Sequence, residues 1–119
     1  MAELSDQLAP YGIDYVDAMD RFDNNADLYK RLALKYEADE HYVSLVAAME
    51  AKDYDQGYKE AHGLKGVAGN LSFRTLYDEA TIISDALKTG EMYGAEQHME
   101  KLGTAQQNVL KGLEVLAQS

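Results

Sequence analysis

The chain has 119 residues, of which 46% are hydrophobic, and its formal net charge is −10. A chain of this length can bury one core, and this composition is typical of a folded globular protein rather than a disordered one. So acidic a chain lacks the basic surface that nucleic-acid binding requires, and the absence of cysteine excludes disulfides, thiol catalysis and thiolate metal sites.

The sequence shows no sign of a membrane segment or a secretory signal. It contains no run of about 18 apolar residues, and the segment from Met1 to Asp6 does not have the pattern of a signal peptide. We therefore expect a cytoplasmic protein that makes no membrane contact.

Helix-forming residues dominate the first part of the chain, and the single proline, Pro10, lies outside every periodic stretch. Residues 1–12 form a weak segment that ends in a turn signal. Asp14 is expected to cap a short helix that Asp23-Asn24-Asn25 ends. Leucines at helical spacing then continue a second helix to about Ala38.

The middle of the chain predicts two further helices. Val43, Val46 and Met49 mark a helix that ends near Lys52. Asp53 is expected to cap the next helix, which runs from about 54 to 71.

Two helices complete the pattern. Ser72 is expected to act as an N-cap, with Phe73 beginning a helix that Gly90 closes in a left-handed conformation. The last helix alternates apolar residues at spacings of three and four from Met92 onwards, broken only by Gln106. Short connections make successive helices antiparallel neighbours. We therefore predict an all-α fold, an antiparallel four-helix bundle with short additional N-terminal helices, in which a domain of residues 13–118 follows the segment 1–12.

The stretch from Ala61 to Leu71 holds three glycines within a predicted helix. Each costs about 0.5–1 kcal/mol relative to alanine, so their placement needs a reason. At about 100° per residue, Gly66 and Gly69 share a face with His62 and Lys65, opposite the apolar face. This placement indicates that Gly66 and Gly69 keep the surface around His62 free of side chains, so that another molecule can approach the imidazole. Gly63 lies to one side of this face, and the sequence offers no explanation for it.

The chemistry of this face points to a phosphoryl acceptor. A neutral imidazole is a nucleophile near neutral pH, and the ammonium of Lys65, one turn after His62, would favour an added anion. Tyr58, one turn before His62, is the tyrosine that we expect on the same outward face. These residues suit reversible phosphorylation of the imidazole ring.

Other kinds of site have weaker signals. His41 and His98 share no metal-ligand spacing with His62 or with each other, so no metal site is expected. No nucleophile elbow or phosphate-binding glycine loop occurs, so the chain is not expected to have an ATP site of its own.

The stretch from Ala61 to Leu71 resembles the signature of histidine phosphotransfer (HPt) domains, A-H-x-L-K-G-x-[SA]-x-x-[LI]-G. Length, helix order and the position of the motif agree with the family. One residue departs from the signature: Ser72 stands where the family has a glycine.

The resemblance implies a phosphorelay intermediate that has no cofactor and no enzymatic activity of its own. His62 would accept a phosphoryl group from a receiver-domain aspartate and pass it to another receiver, while Lys65 neutralises the phosphate and Gly66 leaves room for the receiver. By position, Lys88 would be a basic residue on the next helix that faces the phosphohistidine. Gly69 and Tyr58 would contribute to access and docking. The implied partners are response-regulator receiver domains, with a hybrid histidine kinase as a further candidate; the reacting aspartate and Mg²⁺ would belong to the partner, and we expect a monomer.

Two other classes of function are weighed against this one. The first is a receiver-docking or scaffold bundle that regulates signalling without being phosphorylated, against which the intact His62, Lys65 and Gly66 argue. The second is a metal-binding or enzymatic bundle, which would require ligands that converge in the core.

Overall fold

The computed structural model describes residues 3–119, and within these the chain forms seven α-helices joined by short connections. Short 3-10 helices follow the first and third of them, at Ala9–Tyr11 and Lys35–Ala38. The helices are α1 (Leu4–Leu8), α2 (Tyr15–Arg21), α3 (Ala26–Leu34), α4 (His41–Glu50), α5 (Tyr54–Asn70), α6 (Arg74–Lys88) and α7 (Met92–Ala117).

The last four helices form the bundle, and the predicted all-α class is confirmed. α5 packs between α4 and α6, and α6 packs in turn against α7. The apolar face of α5 is buried in the centre of the bundle through Ala61, Leu64 and Ala68, each with no exposed surface. Helix α5 therefore presents its opposite face to solvent, and that face carries His62.

The N-terminal helices join the same core. Leu8 of α1 is fully buried, and α1 and α3 pack against α7. Tyr29 of α3 is also fully buried, and its hydroxyl donates a hydrogen bond to the carbonyl oxygen of Leu71 at 2.6 Å. The division into a segment 1–12 and a domain 13–118 stays a prediction, although Leu8 belongs to the core of that domain.

Helix ends follow the predicted caps at three positions. The carboxylate of Asp14 accepts a hydrogen bond from the backbone N–H of Asp17, and Asp53 accepts one from Gln56. Gly90 ends α6 with a φ of +82°, the left-handed conformation that glycine adopts without strain.

The predicted cap at Ser72 is wrong. Helix α6 begins at Arg74 with Phe73 as its N-cap residue, and Ser72 instead adopts a φ of +58° in the turn after α5. Its hydroxyl donates to Asp17 of α2 at 2.8 Å rather than to a helix end. The chain reverses direction within three residues here, and such a tight reversal uses a left-handed residue.

One of the three residues that marked α4 in the sequence lies on its solvent side. Val43, which helped to mark this helix, is 67% exposed, whereas Leu45 and Met49 are buried. Apolar residues surround most of α4, so their spacing identifies a helix without fixing which side faces the core.

Gln106 breaks the apolar pattern of α7 because it is the partner of a buried tyrosine. The hydroxyl of Tyr36 donates to Oε1 of Gln106 at 2.5 Å, and both residues are buried. Burial also raises the pKa of Tyr36, so its hydroxyl stays protonated and needs an acceptor.

Replacing Gln106 by leucine is expected to lower the free energy of unfolding by roughly 1–3 kcal/mol, because the buried hydroxyl of Tyr36 loses its acceptor. Adding Tyr36→Phe to that variant should recover part of the loss, since no unpaired hydroxyl then remains. Urea unfolding of the two single variants and the double variant measures the coupling; strictly additive losses would contradict this account.

Candidate functional site

His62 lies in the middle of α5 with its side chain exposed to solvent. The ring of Tyr58, one turn earlier, stacks on the imidazole, with ring centroids 5.9 Å apart and an angle of 25° between the planes. The stack covers one face of the ring and restricts its rotation, so Tyr58 helps to orient His62.

A hollow of about 440 Å³ begins beside His62 and runs between α5 and α6 towards α2. A water molecule occupies about 30 Å³ in the liquid, so the hollow has room for a phosphoryl group and part of a partner's surface. Its wall includes His62, Lys65 and Gly66 from α5, Arg74, Tyr77 and Asp78 from α6, and Asp17 and Arg21 from α2.

Gly66 leaves the approach to this hollow open. A Cβ atom added at Gly66 would meet no atom within 4 Å, and the residue is exposed. Packing within the domain therefore does not require a glycine at this position. Close approach of another molecule would explain it.

The other two glycines of the stretch have reasons within the domain. A Cβ atom at Gly69 would lie 3.1 Å from ring atoms of Tyr77, so this glycine lets α6 pack closely against α5. A Cβ atom at Gly63 would lie 2.5 Å from the ring of His41 in α4, which accounts for the glycine that the sequence left unexplained. Gly69 also lines the hollow beside His62, and its predicted role in access and docking stays a prediction.

Of the two lysines predicted to stabilise the phosphate, only Lys65 lies beside His62. Lys65 lines the hollow one turn after His62. Lys88 is the last residue of α6 and is not among the residues that line the hollow. The reason is the helix register: a Cβ atom at Gly57 would lie 3.4 Å from Leu87, so this end of α6 lies about 7 Å along α5 from the level of His62.

Asp17 organises a side of the hollow that the sequence did not predict. Its Oδ2 atom accepts hydrogen bonds from Nε of Arg21 and from the hydroxyl of Ser72, each at 2.8 Å. These bonds, first with Arg21 and then with Ser72, hold the pKa of Asp17 below its ordinary value of 3.8. The spacing of four between Asp17 and Arg21 is visible in the sequence, but the contact with Ser72 depends on tertiary structure.

The lowered pKa of Asp17 makes part of the stability pH-dependent. The carboxylate stabilises the folded state fully above its ordinary pKa of 3.8, and this contribution is lost as the pH falls through the lowered pKa. We expect Asp17→Asn to reduce the urea midpoint at neutral pH and to make little difference below the lowered pKa. An equal reduction at both pH values would contradict the role given to the carboxylate.

Within residues 3–119, no group of three or more His, Asp and Glu side chains is arranged to hold a metal ion. In the same part of the chain, every helix is too short or too polar to cross a membrane.

Comparison with known proteins gives one match. The family model described as Hpt domain matches residues 32–118, which is most of the chain and includes the whole bundle. Comparisons with curated proteins and with solved structures give no match.

Proposed function

The chain belongs to the Hpt domain family, and we propose on that basis that it is a phosphocarrier in a two-component phosphorelay. Domains of this family carry out histidine phosphotransfer and interact with receiver domains. In the proposed reaction, His62 accepts a phosphoryl group from the aspartate of one receiver and passes it to the aspartate of another.

The proposed step is an in-line displacement at phosphorus. A ring nitrogen of His62 attacks with its lone pair, an N–P bond forms, the P–O bond of the aspartyl phosphate breaks, and the carboxylate leaves with the electron pair. The second ring nitrogen keeps its proton. Transfer to the next receiver is the same step in reverse, with that receiver's aspartate as the nucleophile.

The residues around His62 have supporting roles in this proposal. The Lys65 ammonium, on the wall of the same hollow, offsets the charge of the phosphoryl group, and the stack of Tyr58 orients the ring. In this proposal the reacting aspartate and its Mg²⁺ belong to the receiver. The role of Lys88 stays a prediction from the resemblance, as do the monomeric state and the cytoplasmic location.

One observation carries the proposal most strongly: an exposed histidine lies beside a glycine whose missing side chain leaves open space. A bundle that only docks receivers would need neither a nucleophile at this place nor clearance around it.

The proposal is tested by incubating the chain with a receiver domain that carries labelled aspartyl phosphate. We expect label on the chain that is labile in acid and stable in alkali, as phosphohistidine is. If the receiver binds but no label appears on the chain, the result would instead support the alternative function, a bundle that docks receivers without being phosphorylated.

A further inference from the structure

The hollow beside His62 extends far beyond the reach of a phosphoryl group. Its far end is the turn between α5 and α6, where Arg21 of α2 and Arg74 of α6 line it. After His62, α5 continues for eight residues to Asn70, just before that turn, which corresponds to about 12 Å along the axis. Lys65 lies only about 4.5 Å along the axis from His62. Of the cationic residues that line the hollow, it is therefore the one nearest to the imidazole.

The two arginines remain available to a partner. Their side chains are 51% and 57% exposed. Asp17 takes the Nε donor of Arg21, one of the five N–H donors of a guanidinium. Asp14 lies 3.4 Å from Nη2 of Arg74, a distance at which an exposed pair contributes little.

The charge of the hollow contrasts with that of the whole chain. Three cationic side chains and two carboxylates line it, whereas the chain has a formal net charge of −10. An acidic partner would be repelled by most of this surface and attracted to the hollow.

Resting on the proposed function, we propose that Arg21 and Arg74 form a distal docking contact that binds carboxylates on the receiver whose aspartate reacts with His62. The receiver that docks on the hollow presents at least its reacting aspartate there, and the two arginines meet acidic side chains farther along the same face. Arg21 lies on α2, outside residues 32–118 that the family model matches, so half of this contact comes from the N-terminal part of the chain.

The test compares transfer from phosphorylated His62 to a receiver in the wild type, in an Arg21→Gln/Arg74→Gln variant and in Arg31→Gln. Arg31 is exposed on α3 and does not line the hollow, so its variant shows what the loss of one positive charge elsewhere on the surface does. We expect the double variant to raise the KM for the receiver about threefold to tenfold at low salt, with kcat unchanged, because two exposed ion pairs are lost. The difference should shrink as ionic strength rises.

An Arg21→Lys/Arg74→Lys variant keeps both charges and should retain most of the affinity, even if the hydrogen bond to Asp17 weakens. Thermal unfolding of each variant shows whether the fold is kept. Three results would overturn the proposal. The KM for the receiver could be equal in the wild type and the glutamine variant, its increase in the glutamine variant could persist at high salt, or the lysine variant could show an increase as large. If the wild type accepts no phosphoryl group at all, the proposed function itself fails.

Discussion

Replacing His62 by glutamine is expected to abolish phosphoryl acceptance and leave the fold intact. The imidazole is the proposed nucleophile, and the glutamine amide has no lone pair of comparable reactivity on nitrogen. The side chain is exposed and contributes no core contact, so substitution should leave the thermal midpoint near that of the wild type. The measurement is label retained on the chain after incubation with a phosphorylated receiver.

His98→Gln is the matched control for this experiment. His98 lies on α7, 3.4 Å from the carboxylate of Glu79, and does not line the hollow. This variant should accept label at the rate of the wild type. Label on the His62→Gln variant at the wild-type level would show that another residue is the acceptor.

A bulky side chain at Gly66 is expected to block transfer sterically. In Gly66→Phe the ring would occupy space that is open beside His62, and the receiver's aspartate could not come within reacting distance. Because a misplacement of about 1 Å can lower a rate about 100-fold, we expect at least that loss in the second-order rate of transfer. The far-ultraviolet circular dichroism should not change, since Gly66 is exposed and a Cβ atom there meets no neighbour within 4 Å.

Gly94→Phe provides the comparison. Gly94 lies within α7, and the nearest atom to a Cβ added there is the Cβ of Glu91 at 4.0 Å, so we expect the fold to accept a side chain there too. It is not among the residues that line the hollow, and the variant should transfer at the wild-type rate. Normal transfer by Gly66→Phe would refute the steric account of this glycine.

The helices could be predicted because their signals are local. The caps at Asp14 and Asp53 and the left-handed end at Gly90 depend on residues within one turn, and the structure has all three. The two faces of α5 also follow from helical spacing alone, which places the buried Leu64 opposite the exposed His62.

What could not be predicted depends on contacts between helices. The sequence predicts Ser72 as a helix cap. In the structure it adopts the left-handed conformation that the turn requires, and its hydroxyl donates a hydrogen bond to Asp17, which is distant in the sequence. The close contact between Gly69 and Tyr77 could not be predicted either, because Tyr77 comes from another helix. The position of Lys88 depends on the register between α5 and α6, which periodicity within either helix does not determine.

The role of the N-terminal helices was missed for the same reason. In the sequence, Asp17 and Arg21 are an ordinary pair at a spacing of four on a short helix. Only the packing of α2 against the turn after α5 brings them to the hollow that His62 shares. Function at this end of the site therefore depends on the fold as a whole.

Relay through His62 is tested most directly by rapid-quench measurement of labelled phosphate in a mixture of three proteins. These are a phosphorylated receiver, the chain and a second, unlabelled receiver. We predict that label on the chain rises and then falls as label on the second receiver increases, and that the His62→Gln variant stops this transfer. Label that reaches the second receiver at the same rate with that variant would contradict the account.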